Sequence, residues 1–284
     1  MEIVPGVLNP GELRPLAPEE LPPVFSYLAS EAVRNLILIG FLRVGLTSRT
    51  TDGSFYGLWK NGNLRGVGLL GDVAAWAGGV EMARALGEKA RDSGSRPLKL
   101  LVGLEHEVEA FLEASQDERS GKTETHLFYL LRRGELNTEY AGQLSLRPAG
   151  PEEYEELFRI HNDLYLELAA QPLPEPATSA ERLLRRIEDR RVWIASEGGK
   201  VLFKSDVASE TEEAVLIEAI WTRPDLRGHG IGSKALSNLC SHLLSTHLVV
   251  CLYFRKDQAR LKRFYEGIGF QYHGDYGDYR VTRY

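Results

Sequence analysis

The stretch Ile217-Glu218-Ala219-Ile220-Trp221-Thr222-Arg223-Pro224-Asp225-Leu226-Arg227-Gly228-His229-Gly230-Ile231-Gly232 decides the fold. An apolar strand runs to Pro224, which marks a turn, and Arg-Gly-His-Gly-Ile-Gly then opens directly into a helix. A loop of that composition at a helix N-terminus is an anion cradle. Glycines let the backbone approach a phosphate closely, and the first unpaired N–H groups of the helix point at it with the positive end of the dipole behind them. Arg227 adds a fork of donors suited to a second phosphate oxygen. The spacing Gly228-x-Gly230-x-Gly232 is not G-x-G-x-x-G, and no Lys-Ser/Thr pair follows as a phosphate-binding P-loop needs.

Composition sets the frame around this loop. A chain of 284 residues exceeds the usual size of one domain, so two are expected. Hydrophobic residues at 43% and charged residues at 26% describe an ordinary globular protein able to bury a full core. A formal net charge of −6 argues against nucleic acid as a partner, since phosphate backbones need a basic footprint. No apolar run reaches the length of a membrane span, and Met1-Glu2-Ile3-Val4-Pro5 does not read as a signal peptide. Cys240 and Cys251 fall in a helical pattern and an apolar strand, and read as buried reduced thiols. The expected compartment is the cytoplasm, with no membrane partner and no metal.

The chain repeats itself. Leu13-Arg14-Pro15-Leu16-Ala17-Pro18-Glu19-Glu20 matches Leu146-Arg147-Pro148-Ala149-Gly150-Pro151-Glu152-Glu153, a short strand entering a Pro-initiated helix in each case. Phe25 falls at the offset of Phe158, and Phe111-Leu112-Glu113 lines up with Phe264-Tyr265-Glu266. A period of about half the chain means tandem domains, read here as 1–140 and 144–284. In the second, the pattern predicts a strand at 144–147, a helix at 151–170, a Pro-rich loop at 171–176 and a helix capped by Ser179. Strands follow at 192–196, 200–207 and 214–222, then a helix to about Ser245, a strand at 248–254, a helix at 257–267 and a closing hairpin at 270–275 and 279–282.

The loop, its strand and its Pro resemble the diphosphate-binding segment of the GNAT superfamily of acyl-CoA N-acyltransferases. The downstream run Gln258-Ala259-Arg260-Leu261-Lys262-Arg263-Phe264-Tyr265-Glu266-Gly267-Ile268-Gly269-Phe270 is similar to that family's Asn-x-x-Ala-x-x-x-Tyr-x-x-x-Gly-Phe, with Gln258 and Leu261 as departures. The resemblance implies an α/β (α+β) fold of two tandem GNAT-like domains, each a mixed, mostly antiparallel sheet flanked by helices. The first is degenerate, because Trp76-Ala77-Gly78-Gly79-Val80 stands where the glycine loop should be.

It also implies the chemistry. Acetyl-CoA is the cosubstrate and an amine the acceptor. Backbone groups of Ile220, Trp221 and Thr222 hold the pantetheine arm and thioester. Arg227, Gly228, His229, Gly230, Ile231, Gly232 and Ser233 take the diphosphate, and Gln258 stands where a further contact to the arm falls. Glu218, a carboxylate in an apolar run, is the general base, its pKa raised by partial burial; the plain alternative is an ion pair with a residue such as Lys204. Tyr265 is the general acid. Lys262 and Arg263 are candidates for the 3′-phosphate. His161, Tyr165, Tyr272, His273, Tyr276 and Tyr279 are candidates for an acceptor pocket. The implied activity is direct acetyl transfer to a primary amine, of a small molecule or a peptide. The alternatives are an acyl-CoA-binding sensor or scaffold without turnover, favoured if Glu218 is salt-bridged, and a protein-lysine or N-terminal acetyltransferase. A homodimer is one of the oligomeric states left open.

Overall fold

The computed structural model describes residues 11–47, 53–94, 100–116, 121–140, 144–167 and 176–281. One order of elements occurs twice. The first copy runs β1 (Glu12–Pro15), α1 (Leu21–Ala29), α2 (Leu36–Thr47), β2 (Gly53–Lys60), β3 (Asn63–Gly71), β4 (Val73–Ala77), α3 (Gly79–Asp92), β5 (Leu100–Gly103), α4 (Glu105–Ser115) and β6 (Gly121–Arg132). The second runs β7 (Arg147–Pro148), α5 (Tyr154–Glu167), α6 (Pro176–Glu188), β8 (Val192–Glu197), β9 (Lys200–Glu210), β10 (Ala214–Thr222), α7 (Ile231–Thr246), β11 (Val249–Arg255), α8 (Ala259–Ile268) and β12 (Gln271–Val281).

The repeat extends to single hydrogen bonds. In the first copy Glu20 accepts from Arg14 and from the Ala17 N–H at 2.9 Å. In the second, Glu153 accepts from Arg147 and from the Gly150 N–H at 2.7 Å. Each glutamate thus ties the strand to the start of the following helix and occupies an N–H that the helix leaves unpaired. The arginine, and then the N–H contact, hold both carboxyls below the usual range against the opposing effect of desolvation.

The chain divides into two compact units, 1–127 with 274–284, and 128–273. Each unit therefore draws its last strand from the other half of the sequence. In the first unit the strand order is β1-β2-β3-β4-β5-β12, with Gly277–Arg280 antiparallel to Leu100–Gly103. Period-two alternation in β3 sorts its side chains between two helical layers. Val67 and Leu69 meet Val24, Leu28 and Leu42 of α1 and α2, while Leu70 joins Met82, Leu86 and Phe111 of α3 and α4.

In the second unit the order is β6-β11-β10-β9-β8-β7. Leu157 and Ile160 of α5 and Leu183 and Ile187 of α6 pack with Val192, Ile194, Val201 and Trp221. Helix α7 buries Ala235, Leu236, Leu239, Cys240, Leu243 and Leu244 as one stripe. Cys240 and Cys251 are buried and free, and burial raises both thiols.

Three boundaries differ from the sequence expectation. The strand at 144–147 reduces to Arg147–Pro148. Ser179 is not an N-cap: α6 begins at Pro176, whose missing N–H is no loss at the first helical position, and Ser179 lies buried inside the helix. The closing hairpin is one continuous strand, because residues 277–280 find a partner in β5 instead of folding back. The part of the Pro-rich loop at 171–175, and the helix end at 168–170, lie outside the described residues. Among the described residues no helix is long and apolar enough to cross a membrane.

Candidate functional site

The site is built on β10. Its Val/Ile-rich first half pairs in parallel with β11 only through Ala214, Leu216 and the residue between them, opposite Val249–Cys251. On its other side it pairs antiparallel with β9 as far as Thr222 opposite Phe203. Between Glu218 and Trp221 the register slips by one residue, and Ala219 adopts φ +50°. This is a β-bulge, which bends a strand and frees backbone groups from the ladder. Ile220, Trp221 and Thr222 therefore lie past the last β11 pairing, on a bulged strand. The Trp221 side chain is core, packed among Ile160, Leu183 and Val192.

A single turn, Pro224–Leu226, then leads into the loop. Gly228 and Gly230 hold φ +83° and +81°, a backbone that L side chains resist, and a Cβ on either would face open space. Gly230 is the N-cap of α7 and has no side chain to cap with, so the N–H groups of Ile231, Gly232 and Ser233 lack intrahelical acceptors. Gly232 sits close to the strand end: a Cβ there would lie 2.8 Å from Thr222 Oγ1. His229 is exposed. Arg227 turns back across the loop, with Nε donating to the Thr222 carbonyl at 3.0 Å and Nη2 donating to both oxygens of Glu167 at 2.9 and 3.0 Å.

Glu218 departs from the sequence expectation in its partner. Its side chain is 44% exposed, and its partner is not Lys204. Nη1 of Arg186 on α6 lies 2.7 Å from Glu218 Oε1 in an ion pair and donates to Asp206 Oδ2 at 3.0 Å. Lys204 instead bonds the other Asp206 oxygen at 2.6 Å, with both side chains fully buried. His161 of α5 lies beside this cluster. Burial, then Lys204 and Arg186, depress its imidazole to about 4 against the opposing pull of Asp206 and Glu218.

Tyr265 is 5% exposed on α8, its ring 5.1 Å from Phe254, 5.2 Å from Phe264 and 5.9 Å from Phe270. Burial, and secondarily Cys240, hold the phenol well above its ordinary range, so it stays protonated. Its neighbour Phe264 approaches the Cβ position of Gly232 to 3.6 Å, which brings α8 against the start of α7. Gln258 is the N-cap of α8 and makes no side-chain cap bond. Tyr129, from the first half of the sequence, joins this aromatic group 5.0 Å from Phe254, its hydroxyl donating to Glu266 at 3.0 Å.

Of the acceptor candidates, His161 and Tyr165 stack edge to face at 4.8 Å on α5. Tyr272 is exposed, His273 meets Phe128 at 5.8 Å, and Tyr276 belongs to the first unit, where its hydroxyl donates to the Arg34 carbonyl. The side chain of Tyr279 is outside the description. Lys262 lies 3.9 Å from Glu266. Arg186, Asp206 and Glu167 escaped the sequence reading. The one available signal was Lys204-Ser205-Asp206 inside an apolar strand, since residues two apart share a face and unpaired charges there are costly.

The family model for the Acetyltransferase (GNAT) domain matches residues 188–272, which span β8 to the start of β12. Residues 188–272 carry a GNAT domain. Solved structures extend the fold to the whole chain. A tandem GNAT protein from the clavulanic acid biosynthesis pathway superposes with a TM-score of 0.61 at 15% identity, covering 96% of this chain and 99% of that one. A GCN5-related N-acetyltransferase from Sphaerobacter thermophilus gives 0.60 at 11% identity, covering 96% and 95%. An acetyltransferase of the GNAT family from Colwellia psychrerythraea gives 0.57 at 14%, covering 95% and 100%. No curated protein matches the chain. The GNAT domain places the protein among acyltransferases.

The first unit shares the GNAT layout, and its α3 also starts at positive-φ glycines, Gly78 and Gly79, but with no arginine before them. Its β4 pairs in parallel with β5 over Val73–Ala75, as β10 does with β11, but one residue, Gly78, joins β4 to α3. Where the strands end, Trp76 lies over Gly103, whose Cβ would sit 2.7 Å from the indole. The indole stacks on Phe111 at 5.5 Å and donates to buried Glu107 at 3.0 Å.

Proposed function

We propose that the second unit transfers an acetyl group from acetyl-CoA directly to a primary amine. The observation carrying this reading is the bulged end of β10 feeding a cradle of positive-φ glycines at an uncapped helix N-terminus. That cradle suits a diphosphate in charge, in donor count and in the open space above Gly228 and Gly230. Arg227 and the N–H groups of Ile231, Gly232 and Ser233 would hold it, with Gly228, His229 and Gly230 contributing backbone. Ile220, Trp221 and Thr222 would hold the pantetheine arm and polarise the thioester carbonyl, with Gln258 alongside. When bound, the thioester supplies an activated acyl group. One proton must leave the amine and one must reach the sulfur. Glu218 Oε2, which accepts no hydrogen bond among the described residues, takes the first; the buried, protonated Tyr265 gives the second.

The Arg186–Glu218 contact favours a second reading, an acyl-CoA-binding protein without turnover. Calorimetry against acetyl-CoA, followed by an amine screen, separates the two. Micromolar binding abolished by Arg227→Ala and by Gly230→Asp establishes the cofactor site. Turnover that falls roughly 100-fold or more in Glu218→Gln and in Tyr265→Phe establishes the enzyme. Binding without turnover leaves the sensor, and no binding by folded wild type sinks both.

A further inference from the structure

Within the second unit, Lys204, Asp206, Arg186 and Glu218 form a chain of contacts with charges that cancel, two cations and two anions. His161 adds no charge at neutral pH. The chain is graded in exposure. Lys204 and Asp206 are fully buried, Arg186 is 34% exposed and Glu218 44% exposed. Its inner half is therefore a fixed support and its outer half an ion pair that a ligand can reach. Nη1 of Arg186 serves both anions, while Nε and Nη2 make no hydrogen bond among the described residues.

Consider what each acceptor class does to this cluster. A bare alkylammonium that approaches Glu218 must displace Arg186 or crowd against it. Either way it adds a positive charge beside a guanidinium in partly desolvated surroundings, where an unbalanced charge is costly. A zwitterion adds none. Its ammonium meets Glu218 while its carboxylate meets the guanidinium, so the ion pair opens into a four-charge ring and every charge keeps an opposite neighbour. Asp206 retains Arg186 throughout, so opening the outer contact does not release the side chain. An α-amino acid carries both charges on one carbon, at a separation that suits insertion into a single ion pair, and a carboxylate can take the free Nε and Nη2 as a bidentate fork.

Resting on the acetyl-transfer reading, we infer that the acceptor is a free α-amino acid, or a conjugate that keeps its α-amine and α-carboxylate together. Arg186 takes the carboxylate and delivers the amine to Glu218. Arg186 is then the specificity-determining residue, and Asp206 with Lys204 position it.

The test pairs each of the twenty proteinogenic α-amino acids with its α-amide. Two quantities are read: calorimetric binding to protein saturated with coenzyme A, and kcat/KM with acetyl-CoA. The expected result is at least about a 100-fold preference for one or more acids over their amides, in both binding and turnover. That preference should shrink to within about tenfold in Arg186→Met and survive in part in Arg186→Lys. Should Arg186→Met fail to fold because Asp206 loses a partner, the wild-type acid-to-amide ratio and Arg186→Lys decide. Amides or simple alkylamines used as well as the acids would overturn the inference and leave acetyl transfer standing. Acetyl-CoA binding with no amino acid bound or acetylated would overturn it too. Failure of acetyl-CoA to bind at all would instead remove the reading beneath it.

Discussion

His161 shows how far one side chain's behaviour is set by its neighbours. Its folded value of about 4 lies below the ordinary 6.5, so between those pH values the unfolded chain takes a proton that the folded chain refuses. The stabilisation is full above 6.5 and drains away as pH falls toward 4. Denaturant titrations across that range should show wild type losing on the order of 2 kcal/mol more than His161→Gln; parallel profiles would place the imidazole outside the cluster. Glu167 makes a second prediction. It holds Arg227 by both oxygens, and so competes for the guanidinium with any anion entering the cradle. Both side chains are partly exposed, so the competition is modest. Glu167→Gln should tighten acetyl-CoA binding about two- to fivefold at low salt, with the gain fading as salt is added. An unchanged affinity would mean that Arg227 does not meet the anion.

At the scale of elements, β10 is the part that converts fold into site. A regular strand would have paired with β11 along its length and left no backbone free. The β11 pairing instead stops at Leu216, and beyond it the bulge against β9 places a non-glycine residue, Ala219, at φ +50°. Ala219→Gly should relieve about 1 kcal/mol of that strain and raise Tm. Ala219→Val should cost at least as much and misalign Ile220–Thr222. A Tm that falls with glycine would mean that the alanine methyl supplies packing worth more than the strain. The loop, the Pro-marked turn and the helix start were legible in the sequence because glycine and proline act locally. The bulge was not, since nothing in Glu218-Ala219-Ile220 announces a slip of register. Its place is set by pairing with β9, which is long-range.

On the scale of the whole molecule, the two copies differ most at the joint before the helix that follows their third long strand. A single glycine links β4 to α3, whereas residues 223–230 link β10 to α7, and Trp76 fills the place where β4 and β5 end. Calorimetry should therefore return one acetyl-CoA per chain. A stoichiometry of two would mean that Trp76 swings aside. Trp76→Ala should cost about 3–5 kcal/mol by leaving a cavity beside Phe111 and removing one donor from buried Glu107, which keeps Arg34. Each unit takes a strand from the other half of the sequence, so fragments 1–140 and 144–284 should not each melt cooperatively when made separately. The first would lack residues 277–280, which cover the edge of β5. Two cooperative fragments would show that this strand adds little.

The sequence by itself determined the repeat, the order of nearly every element in the second copy, the glycine loop that opens α7, the buried thiols and the absence of an Arg-Gly-His-Gly run from the first copy. These are written in local chemistry: a period of apolar residues, a proline at a helix start, glycines where φ must be positive. Only the tertiary structure decided what Glu218 touches, that Arg186, Asp206 and Lys204 stand behind it, that Glu167 reaches Arg227, and that the final residues run on as one strand. Those contacts join residues far apart in the chain. An ion pair depends on which faces the packed core turns toward each other, and no local pattern of residues encodes that.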